Sequence, residues 1–393
     1  MAVRSTGTYL PRSLGESRYQ AFVPFALPPQ PALDLGIQGL LARKERADQA
    51  LGRLDGISLL LPDPALFRYQ YVRKEALLSS QIEGTQSSLA DLLLFELDEA
   101  PGVPTDDVEE VSNYVSALNH GLRRLRDDNF PLSLRLLREM HALLLKGGRG
   151  GTKQPGEFRN VQVWVGGRSP AQATFVPPPP EALEETLAAL ESFLHAPAES
   201  VPPLIKAALA HVQFETIHPF LDGNGRLGRL LIALILCNDG VLREPSLYLS
   251  LYFKQRRSDY YAKLDAVRTA GDWEGWLGFF LDGVAETAHQ AVDTAQRLLA
   301  LLARDRARIG ALGSRAGNVG LVFDQLARRI LLSVAQIRPQ VALSAPTIRA
   351  AFATLADLGI VNELTGQRRN RIYVYQDYLT ILGEGAQPLE RDD

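Results

Sequence analysis

The sequence predicts a mainly α-helical protein that contains one β-hairpin and ends in a small helix-turn-helix domain followed by a wing. Over most of the chain, apolar residues recur every three or four positions, which is typical of helices packed on a core. Residues 161–176 instead contain an alternating apolar and polar run and a Gly-Gly pair, which is typical of a hairpin. Residues 321–385 show a helix, a helix-turn-helix pattern, a charged turn and an alternating strand.

Composition agrees with a globular protein of this kind. The chain has 393 residues, of which 46% are apolar, enough for one large domain and a smaller one. The formal net charge is −3, so no overall basic field indicates nucleic-acid binding. No apolar signal core begins the chain, and no apolar run approaches the ~20 residues that a membrane-spanning helix requires. We therefore expect a cytoplasmic protein with no membrane partner.

Start and stop signals place the elements in order. Residues 1–35 are rich in proline and turn formers, and we expect them to form an extended arm. Apolar spacing predicts a helix over about 37–54. The next helix begins at Asp63-Pro64, an N-cap followed by proline, and ends at Gly84, which suits a left-handed cap. Further helices are predicted at about 106–125, 133–145, 181–195, 203–217, 226–239, 258–269 and 272–308.

Glycines and a change in pattern indicate the domain boundaries. Residues 310–320 contain four glycines and few apolar side chains, so we interpret them as a linker. Beyond it, apolar residues between Ile348 and Leu358 mark one helical face, and Gly359 ends that helix. The predicted units are an N-terminal arm and helical region (1–105), a central domain (106–309), the linker (310–320) and a winged-helix-like domain (321–393).

The segment from His218 to Arg229 combines the residue types that phosphate chemistry requires. A glycine-rich turn that leads directly into a helix presents unpaired N–H groups and the positive end of the helix dipole, which makes an anion site. Arg226 and Arg229 lie three positions apart, so both guanidinium groups can face that turn. Asp222 is the only carboxylate in the loop and suits Mg²⁺, and His218 is a base near neutral pH.

Four other interpretations fit parts of this loop. Gly223, Gly225 and Gly228 satisfy the dinucleotide-binding fingerprint, but a helix rather than a strand precedes them. No Gly-Lys-Ser/Thr follows, which excludes a Walker loop, and an EF-hand from Asp222 would place Arg226 where an oxygen ligand belongs. The Asp-Gly-Asn-Gly tetrapeptide alone would be an ordinary turn. The whole set of residues indicates phosphoryl or nucleotidyl transfer to a protic nucleophile.

This loop resembles the Fic-family pattern His-x-Phe-x-Asp/Glu-Gly-Asn-Gly-Arg-x-x-Arg at all eight specified positions, and the resemblance extends over most of residues 20–290. It implies a Fic-type helical bundle with a β-hairpin flap. It also implies transfer of AMP from ATP to a Tyr, Thr or Ser hydroxyl of a target protein or of the protein itself, and it makes a homodimer reasonable.

The resemblance also implies a role for each residue. His218 would deprotonate the hydroxyl, and Asp222 would bind Mg²⁺ between the α- and β-phosphates. Gln255, where several relatives carry Asn, lies in the region of the adenine and ribose, as do Tyr260 and Tyr261, which are equally typical of a core. The ATP-binding set that the resemblance implies is Gly223, Asn224, Gly225, Arg226, Leu227, Gly228, Arg229 and Gln255.

The end of the 64–83 helix resembles the family's inhibitory motif Ser/Thr-x-x-x-Glu-Gly/Asn, with Ser79 and Glu83 as its two specified side chains. On local grounds Glu83 is a solvated residue at a helix end, where it opposes the helix dipole. The resemblance implies that Glu83 pairs with Arg229 and blocks the γ-phosphate, and that Ser79 orients the carboxylate. Some family members use this glutamate to remove AMP, and the sequence does not indicate which direction dominates.

The flap and the tail leave alternatives open. Residues 156–167 resemble the family's flap, which pairs with an extended target segment, although a purely structural hairpin fits the composition equally well. In the tail, Arg349, Arg368, Arg369 and Arg371 could meet DNA phosphates, but winged helices also dock proteins or dimerise. The alternative functions are therefore a nucleotide-sensing, DNA-binding regulator and a Fic variant that transfers UMP, phosphocholine or phosphate.

Overall fold

The computed structural model describes residues 4–15, 17–60, 64–97, 105–147, 150–366 and 370–388. Most of these residues are helical, and two small sheets complete the architecture. The helices are α1 (Leu40–Leu60), α2 (Pro64–Ile82), α3 (Leu89–Phe95), α4 (Thr105–Arg126), α5 (Leu134–Leu144), α6 (Pro180–Leu194), α7 (Pro203–Ile217), α8 (Asn224–Asn238), α9 (Ser250–Gln255), α10 (Arg257–Ala270), α11 (Trp273–Gly310), α12 (Ala316–Arg329), α13 (Val334–Ile337), α14 (Ala345–Asp357) and α15 (Gln376–Leu382). The strands are β1 (Gly7–Leu14), β2 (Ser17–Pro24), β3 (Leu331–Ser333), β4 (Asn362–Glu363) and β5 (Ile372–Val374).

Helix α7 lies at the centre of the bundle. Nearly all of its side chains are buried, as expected of a helix that is apolar on every face. It packs against α6, α8 and α11, while α4 and α5 also pack on α8 and α1 runs along α11. The junction between α7 and α8 is therefore held by the most buried part of the protein. No helix in the described ranges is long and apolar enough to cross a membrane.

The predicted helices are present, with bounds that differ by a few residues, and three short helices, α3, α9 and α15, were not predicted. Helix α2 ends as expected at Gly84, whose φ is +102°. Its predicted N-cap, Asp63, lies outside the described residues. Ser133 caps α5 through a hydrogen bond from the Leu136 N–H group, and Gly359 follows α14 at a φ of +65°.

The N-terminal arm is a hairpin rather than a single extended segment, so that prediction was incomplete. Strands β1 and β2 pair antiparallel from Gly7 opposite Pro24 to Leu14 opposite Ser17. This pairing satisfies backbone groups that a lone arm would leave to water. Strand β2 also buries Phe22. The N–H group of Phe22 donates to the carbonyl of Val176 and so links the arm to the end of the predicted hairpin 161–176.

The hairpin predicted over 161–176 is reduced to one antiparallel bridge, between Val165 and Phe175. Gly166 and Gly167 form the turn, both at positive φ. The expected strand over 161–165 does not form, because side chains donate hydrogen bonds to backbone carbonyls that pairing with a second strand would use. Arg159 donates to the Val161 carbonyl, and the Gln162 amide donates to the carbonyls of Val163 and Pro177.

The segment predicted as a linker is largely helical, and its role as a domain boundary stays a prediction. Helix α11 continues to Gly310, a 3-10 turn covers Gly313–Arg315, and α12 begins at Ala316. Glycine lowers helix stability by about 1 kcal/mol per residue. The buried face of α12, which includes Val322 and Phe323, offsets that cost.

The last 70 or so residues form a small helical unit on a three-stranded sheet of order β3-β5-β4. The chain order is helix, strand, two helices and two strands, which is the order that a winged helix requires; the winged-helix assignment stays a prediction. Helix α15 follows the sheet and packs on α11, so this unit shares a core with the bundle. Arg368 and Arg369 lie outside the described residues.

Candidate active site

The loop between α7 and α8 is held by two left-handed residues. His218 ends α7 at a φ of +50°, and Gly223 precedes α8 at a φ of +76°. A histidine in this conformation is strained, so neighbouring groups must stabilise it.

Arg159 supplies that stabilisation. Its buried guanidinium donates to the carbonyls of His218 at 2.8 Å, Ile217 at 3.3 Å and Pro178 at 2.6 Å. Its backbone N–H group donates to the carbonyl of Pro219 at 2.9 Å. One side chain therefore fixes the loop to the flap segment, and sequence reasoning did not identify it.

His141 supports the other end of the loop. Its Nδ1 accepts a hydrogen bond from the Gly156 N–H group at 2.8 Å, so Nε2 carries the proton and donates to the Asp222 carbonyl at 2.9 Å. The ring stacks on Phe220, with centroids 3.7 Å apart. Burial lowers the pKa of His141 to about 4, which keeps this neutral form at physiological pH. Sequence reasoning also missed this residue, whose one signal is a histidine on the apolar face of α5.

Asn224 closes the loop on itself. Its side-chain nitrogen donates to the carbonyl of Phe220, and its side-chain oxygen accepts from the N–H group of the same residue, both at 2.9 Å. Phe220 is fully buried beneath the loop. The loop is thereby preorganised, and the N-terminus of α8 remains the place where an anion would bind.

Arg226 and Asp222 form the polar rim of the loop. Arg226 donates to the carboxylate of Glu110 at 3.1 Å and lies 3.7 Å from Asp222. Asp222 accepts a hydrogen bond from the Gly223 N–H group at 2.6 Å, and 43% of its side chain is exposed. A carboxylate thus faces solvent beside the anion site.

The guanidinium of Arg229 is already bound by a carboxylate at the end of α2. Its guanidinium donates to the Glu83 carboxylate at 2.6 Å, and it is buried while 37% of the Glu83 side chain is exposed. The resemblance implied this contact, but Ser79 acts differently from the expectation. The Ser79 hydroxyl and carbonyl accept hydrogen bonds from Arg229 at 2.8 and 3.0 Å, so Ser79 orients the guanidinium rather than the carboxylate.

The Glu83 carboxylate also lies directly against Gly225. A side chain at position 225 would collide with Glu83, so the loop glycine makes room for that carboxylate. Burial opposes ionisation of Glu83, but the charge of Arg229 and its hydrogen bond outweigh burial and hold the pKa of Glu83 below its usual value. Glu83 is therefore an anion at neutral pH, in contact with the α8 N-terminus.

Comparison with known proteins agrees with this geometry. The Fic/DOC family N-terminal profile matches residues 41–123, and the Fic/DOC family profile matches residues 131–236. This chain is a Fic-domain protein. The candidate site therefore combines both matched regions: Glu83 lies in the first, and the loop from His218 to Arg229 lies in the second.

Relatives and solved structures extend the match. A protein adenylyltransferase Fic of Culex quinquefasciatus is 31% identical over 289 residues, which cover 71% of this chain and 53% of that protein. One of Aedes aegypti is 32% identical over 253 residues, covering 62% of this chain and 46% of that protein. The chain thus spans about half the length of these curated relatives. A Fic family protein from Desulfovibrio desulfuricans G20 superposes with a TM-score of 0.55 at 22% identity, over 89% of this chain and 98% of that chain, which confirms the predicted Fic fold.

Three further predicted residues of the Fic domain, Tyr260, Tyr261 and Gln255, lie in different surroundings. Tyr260 is a core residue: its hydroxyl hydrogen bonds to His211 at 2.8 Å and its ring stacks on Phe253. Tyr261 is 42% exposed, and partial desolvation together with the charge of Glu83 raises its pKa. Gln255 lines a separate cleft whose lining includes no residue of the loop 218–229, so the structure does not place it at the loop.

His218 has the properties of a neutral base. Its side chain is partly exposed. Burial and the nearby charge of Arg159 lower the pKa of His218 to about 4. The imidazole is therefore uncharged at neutral pH and able to accept a proton.

Proposed function

We propose that the Fic domain of this chain transfers AMP from ATP to a hydroxyl group of a protein, and that Glu83 holds it inactive. The main support is one contact: Arg229 donates a hydrogen bond to the Glu83 carboxylate at the N-terminus of α8, where a phosphate group would bind. The curated relatives carry the name protein adenylyltransferase, in agreement with this activity.

Each loop residue then has a chemical task. The backbone N–H groups of residues 223–225, that of Gly223 once it leaves the Asp222 carboxylate, and the guanidinium groups of Arg226 and Arg229 bind the triphosphate of ATP. The neutral imidazole of His218 accepts the proton of the target hydroxyl as that oxygen bonds to the α-phosphorus. The bond from this phosphorus to the oxygen that bridges to the β-phosphate breaks, and pyrophosphate leaves.

Asp222 fits Mg²⁺ in the manner usual for nucleotide enzymes. No group of three or more metal-ligating side chains occurs in the described residues, so these residues offer no all-protein cage. Mg²⁺ is commonly held by one or two carboxylates together with substrate phosphates, and Asp222 is an exposed, oriented carboxylate at the phosphate site. When bound there, Mg²⁺ would neutralise phosphate charge and make pyrophosphate a better leaving group.

Inhibition follows from charge and space. Glu83 holds the guanidinium that a terminal phosphate would bind, and two anions cannot share it without repulsion. ATP can then bind only with its phosphates displaced from the arrangement that lets the hydroxyl attack. Some Fic proteins use this glutamate to position water for removal of AMP, and we include that reverse activity in the proposal.

The test is transfer of label from α-labelled ATP and Mg²⁺ to lysate proteins and to the chain itself. We expect Glu83→Gly to raise labelling at least several-fold over wild type, and Glu83→Gly with His218→Ala to abolish it. Labelling that survives loss of His218 would contradict the mechanism. Equal labelling of wild type and Glu83→Gly would remove the inhibitory role.

The same assay addresses the finer parts of the proposal. Competition by unlabelled UTP, CDP-choline or GTP distinguishes AMP transfer from a variant that uses another donor. Pre-labelled protein incubated with the wild-type chain measures removal of AMP. We also propose a homodimer, as the family resemblance suggests.

One observation favours the alternative of a DNA-binding regulator. A cleft of about 790 Å³ in the C-terminal unit is lined by Arg338, Arg349 and Arg371, which could meet phosphates. Glu363 also lines it, and the α14 residues facing it are mostly alanine, which offers little to read a base. A mobility-shift assay with random duplex tests this function. Salt-dependent binding that Arg349→Ala weakens would support it, whereas a duplex that does not shift would exclude it.

A further inference from the structure

The guanidinium of Arg159 joins the flap segment to the end of α7. It donates to the carbonyls of Val161 at 3.0 Å and Pro178 at 2.6 Å, which lie at the two ends of the flap segment. It also donates to the carbonyls of Ile217 and His218. Carbonyls in several directions require a fork of donors, which arginine provides and lysine does not. The flap segment and the residue that carries the candidate base are thus held as one unit.

The positive charge of Arg159 has no counter-ion in the described part of the chain. Only 2% of the residue is exposed, and the hydrogen bonds of its side chain all go to backbone carbonyls. Burial lowers the pKa of Arg159 to about 10, and no carboxylate opposes that effect. The group therefore remains charged at neutral pH. A buried charge without a counter-ion costs stability, so any effect of this charge on the neighbouring base comes at that cost.

The imidazole of His218 feels this charge directly. Burial lowers the pKa of His218 most, and the charge of Arg159 is the next cause. The carbonyl of Glu215 in α7 favours a proton on the ring nitrogen that faces it. Of the other charged groups, Glu83 at the end of α2 raises this pKa and Arg268 of α10 lowers it. The other ring nitrogen is therefore free of a proton and able to accept one.

We propose that Arg159 is a positioning residue for the transfer reaction: it holds the imidazole of His218 in register with the flap segment, so that a protein hydroxyl presented there meets the free ring nitrogen. This role rests on the proposed transferase function. The φ of +50° at His218 supports it, since a histidine favours an extended backbone. Without the bonds from Arg159, the backbone would relax and rotate the ring away.

The phosphate-binding end of the loop is held without Arg159. His141 donates to the carbonyl of Asp222, and the side chain of Asn224 makes both of its hydrogen bonds to the backbone of Phe220. Loss of Arg159 should therefore displace the base while it leaves the site for ATP in place. This separation gives the role a kinetic signature that a general loss of structure would not give.

Two variants separate the fork of donors from the charge. Arg159→Lys keeps the charge but cannot reach all of the carbonyls, and Arg159→Met removes both. In the Glu83→Gly background we expect either variant to slow labelling at saturating α-labelled ATP by roughly tenfold or more, as displacement of a catalytic group predicts. The ATP concentration that gives half the maximal rate should change by no more than about twofold. Arg135→Met, at an exposed arginine, is the matched control and should keep the full rate.

A histidine titration by NMR measures the effect of the charge in the absence of nucleotide and target. Isotope-labelled histidine gives ring signals for the six histidines of the chain, and the His218→Gln variant identifies the signal of His218. We expect Arg159→Met to move the titration midpoint of His218 upward by roughly one pH unit, because a nearby cation is lost. Arg159→Lys should leave the midpoint close to that of the wild type.

The two measurements fail separately. Absence of labelling by Glu83→Gly would remove the proposed function, and the titration would still decide the role of Arg159. The role is wrong if Arg159→Met labels at the full rate of its background, or if a folded Arg159→Met leaves the His218 midpoint unchanged. Melting curves establish folding. Should Arg159→Met fail to fold, Arg159→Lys decides: a slower rate at an unchanged ATP requirement supports the role, and a full rate overturns it.

Discussion

At the scale of single residues, the candidate site is a set of groups fixed by partners far away in sequence. Motif residues were predictable, because glycines, paired arginines, an aspartate and a histidine at this spacing indicate phosphate chemistry. The residues that hold the loop in place were not predictable, because Arg159 and His141 act through tertiary contacts with backbone carbonyls. Gln255 shows the converse: the family analogy placed it near the nucleotide, whereas it lines another cleft.

Glu215 provides a test of the electrostatics at this scale. It is half-buried near Glu83 and Arg229, and one of its carboxylate oxygens is fully buried. Burial raises the pKa of Glu215 to about 7. The charge of Arg229 opposes this rise, and the charge of Glu83 adds to it. The unfolded chain loses this proton near pH 4.5, whereas the folded chain keeps it until about 7. Folding stability from this group is therefore lost as the pH rises across that interval.

We expect Glu215→Gln to melt a few degrees above wild type at pH 8, the equivalent of ~2 kcal/mol, and to match it at pH 4.5. Thermal melts of both proteins across this range measure the difference. Glu185→Gln is the matched control, because it makes the same substitution at an exposed glutamate. A constant gap between Glu215→Gln and wild type at all pH values would show that Glu215 titrates normally.

At the scale of elements, the long helices were predictable and the short or paired elements were not. Apolar periodicity and caps located α2, α5 and α7 within one or two residues. The pairing of β1 with β2 escaped prediction because proline-rich strands lack a clear alternation. The helical structure of residues 310–320 escaped prediction because four glycines indicate an irregular segment, whereas the buried face of α12 stabilises a helix there.

Glycines inside helices give a prediction at this scale. Gly52 in α1 and Gly320 in α12 have space for a methyl group, since a Cβ at either would meet no atom within 4 Å. Gly52→Ala and Gly320→Ala should each stabilise the protein by about 0.5–1 kcal/mol. Chemical denaturation measures this, and Gly167→Ala is the contrasting variant. Gly167 has a φ of +69° and its Cβ would collide with the Gln172 carbonyl, so that change should destabilise.

At the scale of the whole molecule, the segment after α15 reaches back to the inhibitory helix. The Gln81 amide, two residues before Glu83, donates to the carbonyl of Ala386 at 3.0 Å. Its oxygen accepts from the ammonium of Lys254 at 2.7 Å, and Lys254 also donates to the carbonyl of Gln387. Gln81, Lys254 and Ala386 are buried, so the bonds between them stabilise the junction with little competition from water. The C-terminal unit thereby positions the end of α2.

Loosening this junction should weaken inhibition. Gln81→Leu removes the bonds to Ala386 and Lys254, so we expect the end of α2 to move more freely and Glu83 to leave Arg229 more often. Labelling from α-labelled ATP should then rise several-fold in a chain that retains Glu83, with Lys254→Met giving a smaller rise. On the Glu83→Gly background the same substitution should add nothing, because the carboxylate that it releases is already gone. If Gln81→Leu stays as inactive as wild type while Glu83→Gly labels strongly, the C-terminal unit does not control the inhibitory helix.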